Sequence, residues 1–498
     1  MKYVFLLLLA WPVAQLSADE RPHVLFIAID DLNDWVGCLD GHPQAQTPNI
    51  DRLAAQGILF RNAHCAAPAC NPSRAAVFSG RMPAATGVWS NDSGSLSRLY
   101  PNHPKLPETF QAAGYHTAGT GKLIHKGGTG FQQYQSFEQR WSPFGKQDVS
   151  YTADEVASKG TDNPRHVLHD SGGNEVILPR NRMPSDRRPG DPSGESFDWG
   201  GFDLPDSDWG DTQCTNWAIE RLRRQRRKPL FLGVGYYRPH IPLFAPQRFF
   251  DRFARQPAQL PAFAADDLND LSTTGRRWAL EAVTAGSHAT VVQHQQWQTA
   301  VEGYLACITY VDHEVGRLLE ALQQSELADQ TLIVLWSDHG WHLGEKQHWG
   351  KWTGWERSTR VPLIIVPPAS QAEQFAEAGS VCDHPVSLVD LYPTLLELCQ
   401  IGSPPPLDGV SLVPLLRDTN ARIRPVTLTM FDRGNSSLRD HQYRYLRYKD
   451  GSEELYDLKA DPHEWHNRAG EARYLPELQR LRAALQSQLD RSSASPGR

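Results

Sequence analysis

The alternation of apolar runs with amphipathic segments constrains the fold of this 498-residue chain more than any other feature. Five apolar runs have the length and the β-branched content of buried strands. These runs are residues 23–29, 116–120, 230–236, 331–336 and 361–366. Apolar residues recur at helical spacing in residues 47–56, 107–113, 211–224, 301–324 and 388–399. The alternation predicts an α/β fold in which helices sandwich a mostly parallel sheet.

The pattern changes after Pro404-Pro405-Pro406. Beyond this point three short runs have the pattern of strands, and a closing amphipathic stretch has that of a helix. The strand-like runs are residues 427–431, 443–448 and 454–458, and the helix-like stretch is 475–489. We therefore predict a large domain over residues 19–418. A small C-terminal α+β subdomain, built on an antiparallel sheet, should cover residues 419–498.

Two polar stretches interrupt the large domain. Residues 145–208 and 254–295 are rich in Gly, Pro, Asp and Ser, which is typical of surface insertions and also of disorder. Long insertions often carry substrate contacts.

The first eighteen residues have the composition of an export signal. Met1-Lys2 is basic, residues 4–13 are apolar, and residues 14–18 are small and suited to cleavage. The apolar stretch is too short for a membrane span, and a retained N-terminal anchor is the alternative. We expect an exported protein without an integral membrane partner, located in the periplasm, outside the cell or in a lysosome-like compartment according to the host.

The net charge and the number of cysteines limit the functions that the chain can have. The chain has 50 basic and 57 acidic residues, and this net charge of −7 argues against a nucleic-acid partner. Seven cysteines are an odd number for an exported protein, so at least one is unpaired. Cys382 and Cys399 flank one predicted helix and could form a disulfide, but the sequence leaves the pairing open.

Charged and imidazole side chains follow four of the predicted strands. These residues are Asp30 and Asp31, then Lys122 and His125, then His240, and finally Asp338 and His339 with Lys351 thirteen positions after Asp338. Ligands bind at the carboxyl ends of the strands in open α/β sheets. Each residue alone has an ordinary structural explanation, but four such sets predict one shared site.

The acidic members of this set indicate a cation. Asp30, Asp31 and Asp338 would repel one another if they converged without one. Their hard oxygen donors suit Ca²⁺ or Mg²⁺, and His339 could be a further ligand. The imidazole also makes Zn²⁺ a competing interpretation.

The basic members indicate catalysis on an anion. Arg74, Lys122 and Lys351 would supply positive charge for a tetrahedral oxyanion. His125 and His240 could act as general base and general acid near neutral pH. The set predicts hydrolysis of an anionic ester, and the residue types alone do not distinguish a sulfate ester from a phosphate ester.

The segment Cys70-Asn71-Pro72-Ser73-Arg74, followed by Ser79-Gly80, would supply the nucleophile. A buried thiol beside a helix N-terminus is the ordinary alternative. The segment resembles the signature of formylglycine-dependent (type I) sulfatases, Cys-x-Pro-Ser-Arg with a Leu-Thr-Gly ending. Phe78 and Ser79 replace the Leu and Thr.

The resemblance extends over most of the chain and implies the alkaline phosphatase-like α/β/α sandwich. It includes Ile29-Asp30-Asp31-Leu32, Thr47-Pro48-Asn49-Ile50-Asp51, Gly121-Lys122-Leu123-Ile124-His125, Glu454-Leu455-Tyr456-Asp457-Leu458 and Asp461-Pro462. Two further motifs are similar to the iduronate-2-sulfatase branch. They are Tyr236-Tyr237-Arg238-Pro239-His240-Ile241-Pro242 and Ser337-Asp338-His339-Gly340-Trp341-His342-Leu343-Gly344-Glu345.

The family resemblance implies a modified nucleophile. A maturation enzyme, reading Pro72 and Ser73, would oxidise Cys70 to Cα-formylglycine, which hydrates to a geminal diol. Ser73 could also cap the helix that follows. By the same resemblance one Ca²⁺ is bound by Asp30, Asp31, Asp338, His339 and the diol formed at Cys70.

The resemblance also implies a role for each basic residue. One diol hydroxyl would attack sulfur while His240 protonates the departing alcohol and Lys351 helps to hold the sulfate. Arg74 and Lys122 would stabilise the negative charge of the diol. His125 would then take the proton of the second hydroxyl, which expels sulfate and restores the aldehyde.

The expected substrate is a sulfated saccharide. A 2-O-sulfated uronate of a glycosaminoglycan and a sulfated algal polysaccharide such as ulvan or carrageenan both fit the branch. The two insertions, with Trp341 and His342 beside the cleft, should decide between them. A phosphonate monoester or phosphodiester hydrolase of the same superfamily and a non-catalytic glycan binder are the competing hypotheses.

Overall fold

A computed structural model describes residues 21–137, 149–150, 166–169, 175–183, 197–282, 286–402 and 407–494. The predicted signal peptide, the proline run at 404–406 and most of the predicted insertion 145–208 lie outside the described residues. Within the described part of the chain, no helix has both the length and the apolar composition needed to cross a membrane.

An eight-stranded sheet forms the centre of the large domain. Its strands are β1 (His23–Asp30), β2 (Ile58–Phe60), β3 (His116–Gly121), β4 (Gln133–Gln135), β5 (Leu230–Pro239), β6 (Thr331–Ser337), β7 (Leu363–Val366) and β8 (Val381–Cys382). Across the sheet they run in the order β8-β2-β7-β6-β1-β5-β3-β4. Neighbouring strands are parallel except at β7, which is antiparallel to β6 and to β2. The predicted mostly parallel sheet is confirmed, and all five predicted strands lie in it.

Helices cover both faces of this sheet because its central strand is apolar on both sides. The helices are α1 (Pro48–Gln56), α2 (Cys70–Ser79), α3 (Leu106–Ala112), α4 (Gly210–Leu222), α5 (Trp297–Gln323) and α6 (Leu391–Leu398). In β1, Leu25 and Ile27 pack with α1, α4 and α5, whereas Val24 and Phe26 pack with α2, α3 and α6. Side chains alternate between the faces of a strand, so neighbouring residues of β1 belong to opposite layers.

The C-terminal residues form a four-stranded antiparallel sheet followed by a helix. Its strands are β9 (Thr427–Met430), β10 (Ser436–Arg439), β11 (Tyr443–Arg447) and β12 (Glu453–Asp457), and the helix is α7 (Leu475–Ala494). The sequence predicted three of these strands and missed β10. Its sequence, Ser-Ser-Leu-Arg, lacks an apolar pattern, and its burial comes from pairing with β9 and β11.

Residues 254–295 contain more regular structure than predicted. The helices Thr273–Leu280 and His288–Gln293 begin after Ser272 and Ser287, whose hydroxyls accept hydrogen bonds from Gly275 N and Thr290 N. Serine caps of this kind stabilise even short helices. The other α-helices in the described residues are Pro83–Thr86, Leu96–Leu99, Glu356–Thr359 and Val413–Arg417.

All seven cysteines lie in the described residues, and all are free thiols. The suggested Cys382–Cys399 disulfide is therefore absent. The Sγ of Cys382 contacts the carbonyl of Thr419, and that of Cys399 contacts Tyr115. Burial raises the pKa of both thiols, to about 11 and about 12, so they behave as small apolar side chains.

A buried arginine joins the C-terminal sheet to the large domain. Arg444 of β11 is fully buried, and its guanidinium pairs with Glu356 and lies 2.9 Å from Glu464 Oε1. It also donates hydrogen bonds to the Gly354 carbonyl at 2.9 Å and to Ser437 Oγ at 2.7 Å. Glu356 and Gly354 closely follow Lys351 in the chain, so this contact ties the site-bearing segment to the C-terminal subdomain.

We expect Arg444→Met to lower the free energy of unfolding by about 3–5 kcal/mol, because it removes the cation shared by the buried Glu356 and Glu464 and leaves Glu356 with Arg439 as its remaining ion-pair partner at 3.3 Å. The exposed pair Arg61–Asp383 is the matched control, and Arg61→Met should cost less than about 1 kcal/mol. Urea unfolding of both variants measures the difference, and equal losses would show that the buried network does not hold the two parts together.

Candidate active site

The predicted site residues converge at the carboxyl edge of the central sheet. Asp30 is the last residue of β1 and Asp31 follows it, Lys122 and His125 follow β3, His240 follows β5, and Asp338 and His339 follow β6. Cys70 and Arg74 come from the first turns of α2, and Lys351 lies beyond a short hairpin after β6. Parallel strands bring these segments to one edge although they are up to about 320 positions apart in the chain.

Cys70 lies at the centre of the group. It is the first residue of α2 and is fully buried. Its Sγ is 2.9 Å from Lys351 Nζ, 3.5 Å from Lys122 Nζ and 3.4 Å from His339 Nε2. Burial by itself raises the pKa of this thiol, but Lys122, Lys351, His339 and a hydrogen bond with His125 hold it well below its usual range. The position therefore stabilises negative charge.

Arg74 holds two of the carboxylates. Its guanidinium is fully buried, with Nη2 3.1 Å from Asp30 Oδ1 and Nε 2.8 Å from Asp338 Oδ2, and Nη1 donates to the carbonyl of Lys122. Its hydrogen bonds go to the carboxylates and to the strand end, and its charge also interacts with the Cys70 position. The role that the family resemblance implies for Arg74, stabilisation of the nucleophile, stays a prediction.

The carboxylates differ in their surroundings. Burial raises the pKa of Asp30, but Lys122 and Arg74 outweigh it and keep that pKa well below its usual range. Burial raises the pKa of Asp338 despite Arg74 and His339. The backbone of Asp31 has a positive φ of 61°, which aspartate tolerates. A register shift between Ile29 and Asp30 bends the end of β1 before this turn.

The donor set fits a divalent cation. One ligand atom from each of Asp30, Cys70, Asp338 and His339 lies within 4.8 Å of the others, and Asp30, Asp31, Cys70 and His240 form a second such group. Asp31 Oδ2 is buried, accepts no hydrogen bond and lies 3.8 Å from His240 Nε2. Buried carboxylate oxygens without donors are expected where a cation belongs.

Two histidines lie on the solvent side of the group. His125 and His240 are partly exposed, whereas the other predicted site residues are buried. His240 Nδ1 lies 2.6 Å from the Ile241 carbonyl, so its Nε2 faces the site. Burial lowers the pKa of His125 below its ordinary value. Both rings are placed to exchange protons with a bound molecule.

Tyr304 and Trp341 support the site from outside the predicted charged set. Tyr304 of α5 donates to the Asp31 carbonyl at 2.7 Å and accepts from the Asn33 backbone at 2.9 Å. Trp341 lies below Lys351, with Nζ 5.4 Å from the ring centroid. Tyr304 occurs in an ordinary helical pattern, so only its position in the fold reveals its role.

One expectation about a side chain near the site is wrong. Ser73 does not cap α2, because the helix already begins at Cys70, and its hydroxyl donates to the Asp338 carbonyl at 2.5 Å. His342 is buried, bonds Thr353 Oγ1 at 3.0 Å and lines a cavity together with Glu345 and Arg357.

Comparisons with known proteins agree on one family. The family description "Sulfatase" matches residues 22–401, and "N-sulphoglucosamine sulphohydrolase, C-terminal" matches residues 344–494. A sulfatase from Formosa agariphila is 34% identical over 94% of this chain and 86% of that protein. Human iduronate 2-sulfatase is 29% identical over 78% of this chain and 71% of that protein.

Solved structures share the fold. A 2-O GAG sulfatase superimposes with a TM-score of 0.69 at 23% identity, covering 95% of this chain and 93% of that one. The phosphonate monoester hydrolase of Agrobacterium radiobacter superimposes with a TM-score of 0.73 at 22% identity, covering 95% and 96%. At these identities the likeness establishes the alkaline phosphatase-like architecture.

We expect Ca²⁺ to stabilise the protein, because a cation bound only by the folded site would neutralise its buried carboxylates. At one hundred times its dissociation constant, Ca²⁺ should raise the free energy of unfolding by about 2.7 kcal/mol. Asp31→Asn should remove this effect, and Asp329→Asn on the exposed surface should not. Thermal unfolding with and without chelator measures the effect, with Mg²⁺ and Zn²⁺ compared in parallel. An equal Ca²⁺ response in Asp31→Asn would contradict the assignment.

Proposed function

This chain belongs to the sulfatase family, and on that premise we propose that it releases sulfate from a sulfated saccharide with a nucleophile made from Cys70. Hydrolysis of sulfate esters is the activity of the family. The observation that carries the proposal is the position of Cys70: it is buried at the start of α2, within 3.5 Å of two lysines and a histidine. A site of this charge suits the anionic group of a sulfate ester.

The nucleophile is a formylglycine formed at Cys70. A maturation enzyme would convert the CH₂–SH group to an aldehyde with an external oxidant, and the hydrated aldehyde supplies both a hydroxyl nucleophile and a proton whose removal releases the product. The positive charges around Sγ mark where the negative charge of that group would be held. Lys122 contacts Asp30 as well as Sγ, which supports its assignment to the nucleophile.

Lys351 is assigned to the sulfate. Its Nζ lies 2.9 Å from Cys70 Sγ and 2.7 Å from Asp31 Oδ1, so it reaches both the nucleophile and a carboxylate. Asp31 and the Cys70 position raise the pKa of Lys351 above its usual value although burial lowers it. The ammonium therefore stays charged, as a sulfate-binding group must.

The two partly exposed histidines are assigned to proton transfer. His240 presents Nε2 to the site because its Nδ1 is held at the Ile241 carbonyl, and it would donate a proton to the departing alcohol oxygen. Burial favours the neutral form of His125, and a neutral imidazole can take the proton of the second hydroxyl.

The cation site is assigned to Asp30, Asp31, Asp338 and His339, with the oxygen formed at Cys70 as a further ligand. The oxygen donors favour Ca²⁺, as the family resemblance implies. The cation would supply charge neutralisation and polarisation of a sulfate oxygen. Arg74 keeps two of these carboxylates in place.

A saccharide substrate is supported by the relatives. They include iduronate 2-sulfatase, and a second Formosa agariphila protein named "Ulvan-active sulfatase" is 26% identical over 97% of this chain. We further propose export after cleavage of residues 1–18, which would follow an encounter with the maturation enzyme. The N-terminal charge and apolar pattern support this proposal.

Protein made in a host with formylglycine maturation should carry an aldehyde at position 70 and release sulfate from sulfated oligosaccharides. Peptide mass spectrometry would show the residue lighter by the difference between CH₂–SH and CHO. Ion chromatography would measure the released sulfate over a panel of glycosaminoglycan and algal oligosaccharides. Cys70→Ala is the control and should release none. An unmodified thiol together with an absence of sulfate release would overturn the proposal.

The same preparation tests the competing hypothesis that the protein hydrolyses a phosphorus ester and not a sulfate ester. Turnover of nitrophenyl sulfate should exceed that of a nitrophenyl phosphonate and of a bis-nitrophenyl phosphate diester. A strong preference for either phosphorus ester would favour the phosphonate monoester or phosphodiester hydrolase. Sulfated glycan bound but unchanged by fully modified protein would favour a non-catalytic binder.

The substitution His240→Asn tests the assignment of His240 as the general acid. Asparagine keeps a donor at the Nδ1 position but removes Nε2, so the leaving alcohol receives no proton. We expect kcat/KM on a sugar sulfate to fall about 10²–10⁴-fold, with a much smaller loss on nitrophenyl sulfate, whose phenolate leaves without protonation. Equal losses on the two substrates would assign His240 to substrate binding.

A further inference from the structure

Lys351 is preceded by a short hairpin. Strands His342–Leu343 and Trp349–Gly350 pair in antiparallel fashion, and the turn between them contains Lys346 and Gln347 with positive φ values of 56° and 51°. The side chain of Lys351 is long and flexible, with four rotatable carbons between the backbone and Nζ. The position of its ammonium therefore depends on how firmly its own backbone is held.

One buried side chain contacts that backbone directly. His348 is 1% exposed, and its Nε2 lies 2.9 Å from the Lys351 carbonyl. Its Nδ1 lies 2.9 Å from the carbonyl of Ala279, near the end of the helix Thr273–Leu280. The ring thus lies between the lysine assigned to the sulfate and residues 254–295, which the sequence predicted as an insertion.

Two further side chains of this hairpin, Lys346 and Trp349, bond residues within 254–295. Lys346 Nζ lies 2.5 Å from Asp267 Oδ1 and also donates to the Glu464 carbonyl. Trp349 Nε1 donates to His288 Nδ1 at 3.0 Å. These contacts hold the hairpin as a whole, whereas among the described residues His348 is the side chain placed between Ala279 and the carbonyl of Lys351.

We propose that His348 is a positioning residue for sulfate ester hydrolysis, and that its Nε2–H donates to the Lys351 carbonyl and fixes the ammonium beside Cys70. The proposal rests on the function assigned to Lys351 above. Both ring nitrogens face carbonyl oxygens, which only accept, so the two bonds together need an N–H on each nitrogen. Burial lowers the pKa of His348, whereas the hydrogen bonds to the Lys351 and Ala279 carbonyls raise it. A misplacement of about 1 Å at a catalytic group can cost about 10²-fold in rate, which is the scale of the expected effect.

Two amide substitutions at position 348 test the roles of the two ring nitrogens separately. Glutamine places its NH₂ group near the position of Nε2, and asparagine places its NH₂ near that of Nδ1. His348→Gln should keep the bond to Lys351 and retain kcat/KM on nitrophenyl sulfate within about fivefold of wild type. His348→Asn should keep only the contact with Ala279 and lose about 10²-fold, mainly in kcat.

Three controls make the comparison decisive. Thermal unfolding identifies any loss caused by misfolding, and both polar variants should remain folded. In a Lys351→Ala background, His348→Asn should cause little further loss, because the group that it positions is already missing. Sulfate release by the wild-type protein tests the proposed function separately from the variant ratios.

The proposal is overturned if His348→Asn is as active as His348→Gln, or if its loss persists in full in the Lys351→Ala background. A wild-type protein that releases no sulfate overturns the proposed function instead. Crystal structures of the two variants give a readout without turnover, because Lys351 Nζ should stay beside position 70 only in His348→Gln.

Discussion

The site depends on one buried guanidinium. The carboxylates of Asp30 and Asp338 approach each other at the ends of adjacent parallel strands, where burial and mutual repulsion oppose their ionisation. Arg74 bonds both of them and also the carbonyl of Lys122. A single side chain of α2 thereby connects β1, β6 and β3, and it fixes the start of α2, where Cys70 lies. Removing such a group would leave uncompensated charge in the interior, which is among the most destabilising changes in a protein.

Around Arg74 the charged side chains of the site lie at different depths between the interior and the solvent. The carboxylates and Arg74 are buried on the inside, the two lysines flank the Cys70 position, and the histidines lie outermost, partly exposed. Permanent charges are thus placed where water is excluded and electrostatic interactions are strong. Groups that exchange protons lie where a substrate and water can reach them. The order suits an anion that enters from solvent and reacts against a fixed positive field.

Two regions outside the α/β core hold the segment that carries Lys351. Arg444 anchors the residues just after Lys351 to the C-terminal subdomain, and His348 joins the residues just before it to the helix Thr273–Leu280. The second of these regions was predicted from sequence only as a polar insertion. Its helices have only eight and six residues, too few for periodicity to identify them. Strand β10 was missed because its sequence lacks an apolar pattern and tertiary pairing buries it. The suggested disulfide failed because cysteine spacing along the chain carries no information about distance in space.

Local patterns in the sequence were enough to locate five of the eight central strands, helices between them and the residues at the strand ends, because apolar periodicity is local and parallel strands all end at one edge. The sequence motifs also identified the sulfatase family and the candidate nucleophile. The partner that each charged or polar group meets became visible only in the tertiary structure: Arg74 bonds two carboxylates, Tyr304 bonds the Asp31 backbone, and His348 reaches the Lys351 carbonyl. Such contacts join segments far apart in the chain, and their geometry follows from packing that no local pattern encodes.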